Sequence, residues 1–344
     1  MTDNATPTFR EQAMGQAQGA MALQVAFIGV TNGLFAALAE KGPATPAELA
    51  RAAGMDPGYV ARWVDAAYAF GYLSETGAEE GDRVALTDAG RGFAGEASSG
   101  PLPFAVHSLL GAHMSERTAH FMRTGERPGE AVLGERETIA GLFGTMLEGM
   151  FGPVFEDQIL PDLPVFREMD ASGGTAVDLG CGNGWYLRRL ARAYPHLRGI
   201  GLDLFDDAIH EATAKAAAEG TGDRLEFRKG DMHDYTVAEP AALIAMNRAL
   251  HHVWDDKDRV FAFLRDNLAD GGTAVIWEPN WPGKRAALAD PRRRGMAFQN
   301  LMEHVQGNHF LSADAIAAEF ERVGMTPEIH LYAEGNEAVV VGRK

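Results

Sequence analysis

Cysteine is almost absent from this chain: of 344 residues, only Cys181 is one. A single cysteine excludes an internal disulfide and cannot build a thiolate metal site. Cys181 stands between two glycines, where a tight turn favours a small side chain. We therefore interpret it as a residue of the turn and not as a reactive thiol.

Positive charge is also scarce. The chain has 31 Lys and Arg against 48 Asp and Glu, which gives a formal net charge of −17 at pH 7. General affinity for nucleic acid or for an anionic membrane depends on clustered Lys and Arg. The charge balance therefore argues against both kinds of partner.

A long uninterrupted apolar run is missing too. The longest apolar stretch, 21–38, is broken by Gln24, Asn32 and Gly33, so we do not interpret it as a membrane span. The N-terminus is polar and acidic and has no basic segment ahead of an apolar core, unlike a secretory signal. We predict a cytoplasmic protein.

The first half of the chain predicts helices and then a compact helix–turn–helix with a wing. Thr45 and Glu48 enclose a proline at the first helical position, a pattern typical of a capping box. A second helix is expected over 57–70, and a short hairpin with a polar turn through Gly81 follows it.

A winged helix has two common uses, DNA binding and dimerisation. Between Ala44 and Arg91, acidic residues outnumber basic ones by eight to four. Such a surface lacks the positive charge that contacts phosphate. We predict a dimerisation scaffold.

The stretch 94–163 predicts further helices, rich in aromatic and methionine side chains. Most of these should be core, but some could line a substrate chamber, because flexible methionine suits an irregular apolar pocket. The pocket candidates are Phe143, Met146 and Met150. Glycine and proline punctuate the chain near 160–174, so we divide it into a helical domain, 1–165, and a second domain, 166–344.

From residue 174 the pattern alternates between strands and helices, which is typical of a parallel, doubly wound sheet. The predicted strands are 175–179, 199–203, 225–229, 241–247 and 273–278, with closing strands at 326–331 and 337–341. The predicted fold class is α/β: a Rossmann-like, mostly parallel sheet preceded by a mostly helical winged-helix domain.

A glycine-rich turn follows the first strand of this sheet. Gly180, Gly182 and Gly184 alternate ahead of a helix, so the backbone there can approach a ligand closely. In the dinucleotide fingerprint G-x-G-x-x-G the third glycine comes one position later, where this chain has Trp185. An acidic residue, Asp178, lies near the end of the strand.

Acidic residues also follow the next two strands. Asp203 comes 23 residues after Gly180, where a carboxylate can accept hydrogen bonds from both hydroxyls of a ribose. Nicotinamide enzymes use the same arrangement, so Asp203 alone does not distinguish a nicotinamide cofactor from another cofactor that contains ribose. After the third strand, Asp231 can accept from an adenine amino group and Met232 can pack on the ring.

These features, in this order, resemble the class I S-adenosylmethionine (SAM) methyltransferases. The N-terminal half resembles the winged-helix dimerisation domain of small-molecule O-methyltransferases and related bacterial enzymes. The resemblance implies SAM as cofactor and a homodimer formed through the N-terminal domain. The positions that it assigns to the cofactor are Asp178, Gly180, Gly182, Asp203, Leu204, Asp231, Met232 and Asn247.

In the O-methyltransferases a histidine after the fourth strand, within a His-Asp-Trp run, takes a proton from the substrate. His251 falls on that position here. The run departs from the pattern, because His252 replaces the aspartate and Val253 is inserted before the tryptophan. Two interpretations stay open: His251 is a general base, or it packs the strand end.

Two further charged residues are candidates for the reacting site. Arg248, just past the fourth strand, could clamp a substrate carboxylate in bidentate fashion or form a salt bridge. Glu278, at the end of the fifth strand, could orient a substrate or pair with Arg248.

The segment 292–311 resembles the insertion that closes over substrate in this family. Its polar candidates for the pocket are Gln299, Asn300 and His304. Glu303, His304 and His309 match no established pattern of metal ligands, so we predict no metal.

The sequence thus predicts methyl transfer to a small molecule, with several acceptors open. A hydroxyl would use His251 as base, whereas a thioether has no proton to lose and would need only alignment and an anchor. Methylthiohydroxybutyrate, in dimethylsulfoniopropionate synthesis, is one such thioether, and carbon acceptors are a third option. A SAM- or metabolite-sensing transcriptional regulator and a nicotinamide oxidoreductase are the alternatives of other classes.

Overall fold

The computed structural model of the protein describes residues 8–76, 82–95, 100–233, 235, 237 and 239–344. The turn glycine Gly81 lies outside the described residues. The chain forms two compact units: Met1–His113 with Glu137–Met150, and Met114–Arg136 with Phe151–Lys344. Residues 114–136 and 151–165 thus group with the second half, and the division predicted after residue 165 stays a prediction.

The first unit begins with helices and a small hairpin. Its first elements are α1 (Phe9–Thr31), α2 (Leu34–Lys41), α3 (Pro46–Ala53), α4 (Pro57–Ala69), β1 (Leu73–Glu75), β2 (Val84–Leu86) and α5 (Asp88–Arg91). The predicted capping box of α3 is confirmed: the Thr45 side chain accepts from Glu48 N, and Glu48 accepts from Thr45 N. β1 and β2 pair antiparallel. The order helix, helix, hairpin agrees with the expected one, while the winged-helix assignment stays a prediction.

The core of the first unit is built around aromatic side chains. Phe35 packs edge-on against Trp63, with ring centroids 5.2 Å apart. Met146 is buried in this core, and Phe143 and Met150 pack against it partly buried. The three residues predicted for the substrate chamber therefore belong to the first unit's packing.

The middle of the chain is helical. Its helices are α6 (Leu102–Thr124), α7 (Ala131–Gly134), α8 (Glu137–Ala140), α9 (Phe143–Val154), a π-helical turn (Phe155–Ile159), α10 (Leu160–Asp162) and α11 (Val165–Ser172). Among the described residues no single helix is long and apolar enough to cross a membrane, although α1 and α2, which meet at a 66° bend, satisfy that test as a pair.

The second unit contains a seven-stranded sheet. Its elements are β3 (Thr175–Leu179), α12 (Trp185–Ala193), β4 (Arg198–Asp203), α13 (Asp206–Ala218), β5 (Leu225–Lys229), β6 (Ala241–Asn247), a 3₁₀ segment (Leu250–Asp256), α14 (Lys257–Asn267), β7 (Leu268–Pro279), 3₁₀ turns (Arg285–Ala289, Pro291–Arg293), α15 (Arg294–Gln306), α16 (Ala313–Arg322), β8 (Thr326–Tyr332), a 3₁₀ turn (Ala333–Gly335) and β9 (Glu337–Arg343).

The strand order is β5-β4-β3-β6-β7-β9-β8. β3 to β7 run parallel to one another, and β9 runs antiparallel to both β7 and β8. The predicted α/β class with a Rossmann-like, mostly parallel sheet is confirmed.

The strand order predicts where a ligand crevice lies in the sheet. The chain leaves β3 toward β4 on one side and returns to β6 on the other, so β3 and β6 meet at the point where the order reverses. In open α/β sheets, ligands bind outside the carboxyl ends of the strands at such a point. The side chains that follow β3, β4, β6 and β7 are therefore the ones that form the site.

Candidate functional site

The glycine turn after β3 is shaped by left-handed backbone. Gly180, Gly182 and Gly184 have φ of 76°, 52° and 72°, a region that L side chains rarely adopt. The N–H groups of Gly180 and Cys181 both donate to the carbonyl of Leu202 on β4, at 2.8 and 2.9 Å. A Cβ at Gly182 would have nothing within 4 Å, so open space lies directly against this backbone.

Asp203 is fixed against that turn from the end of β4. Its Oδ2 accepts from Gly182 N at 2.8 Å, and its Oδ1 accepts from Phe205 N at 3.1 Å. Burial raises the pKa of Asp203, against the lowering by these backbone N–H groups. The neighbouring Leu204 is 54% exposed. The carboxylate therefore has a defined orientation at the edge of the open space.

Asp178 is fully buried beneath the turn. Asn247, at the end of β6, donates from Nδ2 to Asp178 Oδ1 at 3.0 Å. Burial raises the pKa of Asp178 to about 7, with Asn247 lowering it and Asp203 raising it further. Asn247 Oδ1 is buried and has no hydrogen-bond partner among the described residues. Both residues thus hold acceptor capacity for a cationic or N–H-bearing ligand.

Asp231 and Met232 follow β5, as predicted. Asp231 is exposed, and its Oδ1 accepts from His233 N at 2.9 Å, which shapes the loop. Met232 packs partly buried against the core of the sheet and lines a cavity together with Leu179 and Phe263.

His251 lies in the 3₁₀ segment after β6 and is held by Glu278. The Nδ1 of His251 is 2.6 Å from Glu278 Oε2, and the two side chains are 3% and 0% exposed. The other oxygen, Oε1, accepts the backbone N–H of Leu250 at 2.8 Å and of His251 at 3.2 Å. Because an ionised Glu278 can only accept hydrogen bonds, we assign the proton of the neutral imidazole to Nδ1 and its lone pair to Nε2.

Charge keeps Glu278 ionised. Burial alone would raise the pKa of Glu278, but a protonated His251, through its charge and its hydrogen bond, and Arg248 outweigh burial and lower the pKa. A carboxylate that is both buried and ionised is the group that fixes and polarises an imidazole.

A second histidine and two more carboxylates lie beside this pair. The rings of His251 and His252 are 4.2 Å apart, and His252 Nδ1 is 2.8 Å from Glu130 Oε1. Glu303, on α15, has its Oε2 3.8 Å from His251 Nε2. The sequence pattern did not indicate Glu130 and did not join Glu303 to His251.

Arg248 makes an ion pair of its own. Its Nη1 is 2.8 Å from Glu337 Oε2, and its Cζ lies 3.9 Å from the centroid of the Phe151 ring. Trp277 Nε1 donates to the same Glu337 oxygen at 2.8 Å. The structure therefore favours the salt-bridge interpretation of Arg248, and it pairs Glu278 with His251, a pairing that the sequence analysis did not consider.

The polar candidates of α15 have different surroundings. Asn300 Oδ1 accepts from Phe310 N at 2.6 Å, and the Phe310 ring packs edge-on against His251 with centroids 5.3 Å apart. Gln299 is partly buried, and His304 is exposed. Asn300 thus holds the backbone of Phe310, whose ring packs against His251.

Comparisons with known proteins agree with this geometry. The family model described as a methyltransferase domain matches residues 176–272, which include the glycine turn, Asp203 and His251. The O-methyltransferase SfmM3 of Streptomyces lavendulae is 30% identical over 252 residues, which cover 69% of this chain and 70% of that protein. The chain belongs to the class I SAM-dependent O-methyltransferase family.

Three further comparisons define how far the likeness extends. Trans-aconitate 2-methyltransferase of Streptomyces avermitilis is 36% identical over 112 residues, and the match spans only 41% of that relative's length. The crystal structure of human N-acetylserotonin methyltransferase in complex with SAM superposes with a TM-score of 0.75, with 17% identity over 100% of this chain and 99% of that one. The structure of an O-methyltransferase family protein from Burkholderia thailandensis superposes with a TM-score of 0.73, with 19% identity over 99% of both chains. The fold that this chain shares with the human enzyme therefore extends over its whole length.

The residues present in this O-methyltransferase family member fit SAM. The glycine turn leaves open backbone at Gly182, and Asp203 presents an oriented carboxylate. Asn247 Oδ1 is a buried acceptor that finds no partner in the described part of the chain. These are the acceptors that an ammonium group and a ribose diol require.

The pairing of Glu278 with His251 depends on how β6 and β7 align in the sheet. Asn247 on β6 pairs with Trp277 on β7, so the residues just beyond them, including Glu278, face the same crevice. Only the register between two strands far apart in the chain reveals this.

Proposed function

We propose that this protein transfers the methyl group of SAM to the hydroxyl of a small molecule, with His251 as general base. The observation that carries the proposal is the 2.6 Å contact between His251 Nδ1 and the buried carboxylate of Glu278. A histidine held in this way presents a basic Nε2 and is a common proton acceptor in catalysis.

Each residue has a defined part in this proposal. When bound, SAM supplies a methyl carbon attached to a positively charged sulfur. Asp178 and Asn247 hold the amino acid end of the cofactor, Asp203 holds the ribose, and Asp231 with Met232 hold the adenine. Leu204 covers the ribose from its exposed position after β4.

The acceptor's proton goes to His251. His251 Nε2 would take the O–H proton of the acceptor as the methyl carbon passes from the sulfur of SAM to the acceptor oxygen, with S-adenosylhomocysteine as the leaving group. Glu278 would stabilise the imidazolium that results. Burial of His251 and Glu278 excludes water, which strengthens the interaction between their charges. The proton leaves to solvent after the product dissociates.

A thioether acceptor is the second candidate for the same fold. It would need no base, and a carboxylated thioether such as methylthiohydroxybutyrate would need a cationic anchor. Arg248, the anchor suggested by the sequence, is bound to Glu337 and stacked on Phe151. This engagement favours a hydroxyl acceptor.

The acceptor is tested with a panel. Phenols, alcohols, carboxylated thioethers and carbon acceptors are incubated with the full chain and SAM labelled on its methyl group, and labelled products are identified by mass spectrometry. We expect methylation of a hydroxyl compound. Methylation confined to thioethers would overturn the assignment of His251 as base.

We also propose that the protein forms a homodimer through its N-terminal helices and that it binds neither nucleic acid nor membrane. Residues 9–21 of α1 are all exposed, including large apolar side chains: Phe9 is 85% exposed, and Met14 and Met21 are each 52% exposed. A second copy of the chain would remove this apolar surface from water.

A further inference from the structure

We propose that His251, His252 and Glu303 form a binding site for a divalent transition metal of the zinc type, and that metal bound there blocks the proposed base. One ligand atom from each of the three lies within 4.8 Å of the others. Two imidazoles and one carboxylate are a donor set that zinc and its neighbours in the first transition row accept.

The distances suit a metal after small side-chain rotations. His251 Nε2 and Glu303 Oε2 are 3.8 Å apart. Ligand atoms at zinc–nitrogen and zinc–oxygen bond lengths of about 2.0–2.2 Å stand roughly 3.3 Å from each other in a tetrahedron. The side chains of His252 and Glu303 are 27% and 18% exposed, so they have room to rotate and the metal has a path from solvent.

Each histidine already carries the outer hydrogen bond that metal-binding histidines have. Glu278 holds Nδ1 of His251 at 2.6 Å, and Glu130 holds Nδ1 of His252 at 2.8 Å. The amide Nδ2 of Asn308 lies 2.8 Å from the same nitrogen of His252 and donates to it in the opposite tautomer. In the tautomer that donates from Nδ1 to Glu278 and to Glu130, both Nε2 atoms carry lone pairs, as carboxylate–histidine–metal sites require.

The negative charge around the two histidines also favours a bound cation. Three carboxylates, Glu130, Glu278 and Glu303, surround two adjacent imidazole rings. A divalent cation between the rings offsets this negative charge. The sequence pattern of Glu303, His304 and His309 indicated no metal, and the structure brings Glu303 to a different pair of histidines.

Metal at this site has a chemical consequence. Coordination would occupy Nε2 of His251, the lone pair that takes the acceptor's proton. The metal and the acceptor therefore compete for one atom. This competition rests on the proposed function, whereas metal binding itself does not.

Binding is measured on the untagged full chain, stripped of metal, with Co²⁺ as a spectroscopic probe and Zn²⁺ as its competitor. We expect one equivalent of Co²⁺ with the intense visible absorption of a four-coordinate site, displaced by Zn²⁺. His252→Gln and Glu303→Gln should each weaken binding at least tenfold. His210→Gln, which changes an exposed histidine on α13, should bind as the unmodified protein does.

Titration with S-adenosylhomocysteine shows that each variant is folded, because its proposed contacts lie on other residues. Should one of the two variants fail to fold, the other still tests the site. Absence of Co²⁺ binding by the unmodified protein would overturn the metal site, and so would folded variants that bind Co²⁺ as tightly as the unmodified protein does.

Inhibition is read separately, once an acceptor is known. Stoichiometric Zn²⁺ should lower turnover more than tenfold, and a chelator should restore it. Co²⁺ binding with unchanged turnover would keep the metal site and overturn the competition with His251. Turnover that a chelator abolishes and Zn²⁺ restores would overturn the inhibitory role.

Discussion

At the scale of single residues, the site depends on two buried carboxylates whose pKa values are shifted in opposite directions. Asp178 is buried with one donor, Asn247, and has its pKa raised to about 7. Glu278 is buried with several donors and has its pKa lowered. The difference follows from the number of partners, because each donor to a carboxylate favours its charged form.

The raised pKa of Asp178 predicts pH-dependent cofactor binding. The ammonium group of S-adenosylhomocysteine prefers the ionised carboxylate, which is present above pH 7 and lost as the pH falls below it. We expect the Kd to rise by up to about tenfold per pH unit below 7. Calorimetric titrations from pH 5.5 to 8.5 measure this. In Asp178→Asn the dependence should vanish and binding should be weaker throughout; an unchanged slope would contradict the role of Asp178.

The contact of Glu278 with His251 predicts the effect of Glu278→Gln. Glutamine keeps the shape but removes the charge that stabilises the imidazolium, so turnover should fall by about 10²-fold or more. The Kd for S-adenosylhomocysteine should stay within about twofold, since Glu278 does not touch the glycine turn. Glu334→Gln, at an exposed ion pair with Arg292, is the matched control and should keep full turnover. Equal activity of the two variants would remove Glu278 from the mechanism.

Several residues could be assigned from the sequence because their signals are local. The glycine turn, Asp203 and His251 each follow a predicted strand, and strand ends are visible in the periodicity of one chain segment. The partners of His251 and Arg248 could not be assigned in this way. Glu278, Glu303 and Glu337 are 27, 52 and 89 residues away from them, and only sheet register and helix packing bring them near.

At the scale of elements, the β3–α12 connection sets the geometry of the crevice. Gly184 has φ of 72° and closes the turn, and a Cβ there would lie 2.5 Å from the Phe227 ring. Gly54, at the end of α3, has nearly the same φ, 67°, but has nothing within 4 Å of an added Cβ. Alanine substitutions at these two glycines therefore distinguish the cost of backbone strain, which both share, from the cost of a steric clash, which only Gly184 has.

We predict that Gly184→Ala destabilises the protein more than Gly54→Ala does. Both substitutions place an alanine in a left-handed backbone conformation, and this strain destabilises the folded state by roughly 1–2 kcal/mol. Gly184→Ala must also displace Phe227, which adds about 1–3 kcal/mol. Urea unfolding of the two variants measures the difference. Equal midpoints would show that Phe227 moves aside freely and that the turn is not tightly packed.

The predicted strands agree with the observed ones where hydrophobic runs are compact. β3, β5 and β6 have the expected bounds. β7 starts at Leu268 and not at residue 273, because Leu268 pairs with Ala241 ahead of an irregularity in the register. The 3₁₀ segment that carries His251 has no periodic signature, since its shape comes from the N–H bonds of Leu250 and His251 to Glu278.

At the scale of the whole molecule, much of α1 makes no apolar packing with the other described residues. Ile28 is 49% exposed in addition to Phe9, Met14 and Met21. A 23-residue helix with this surface is expected to pack on another copy of the chain.

We predict that Met21→Glu shifts the protein toward a monomer. A charge buried in an apolar interface carries a large desolvation cost, so the dimer should weaken by at least tenfold. Light scattering coupled to size-exclusion chromatography measures the mass. Met122→Glu, at a 72% exposed methionine on α6, is the control and should leave the mass unchanged. A monomeric unmodified protein would contradict the proposed dimer.

The most direct test of the account is the turnover of His251→Ala on the hydroxyl acceptor that the panel identifies, with the Kd for S-adenosylhomocysteine measured in parallel. General-base catalysis contributes about 10²–10⁴-fold, so kcat/KM should fall by that factor while the Kd is unchanged. His210→Ala, at the exposed histidine of α13, should retain full activity. Turnover of His251→Ala within about threefold of the unmodified protein would contradict the base role and show that the hydroxyl loses its proton without His251.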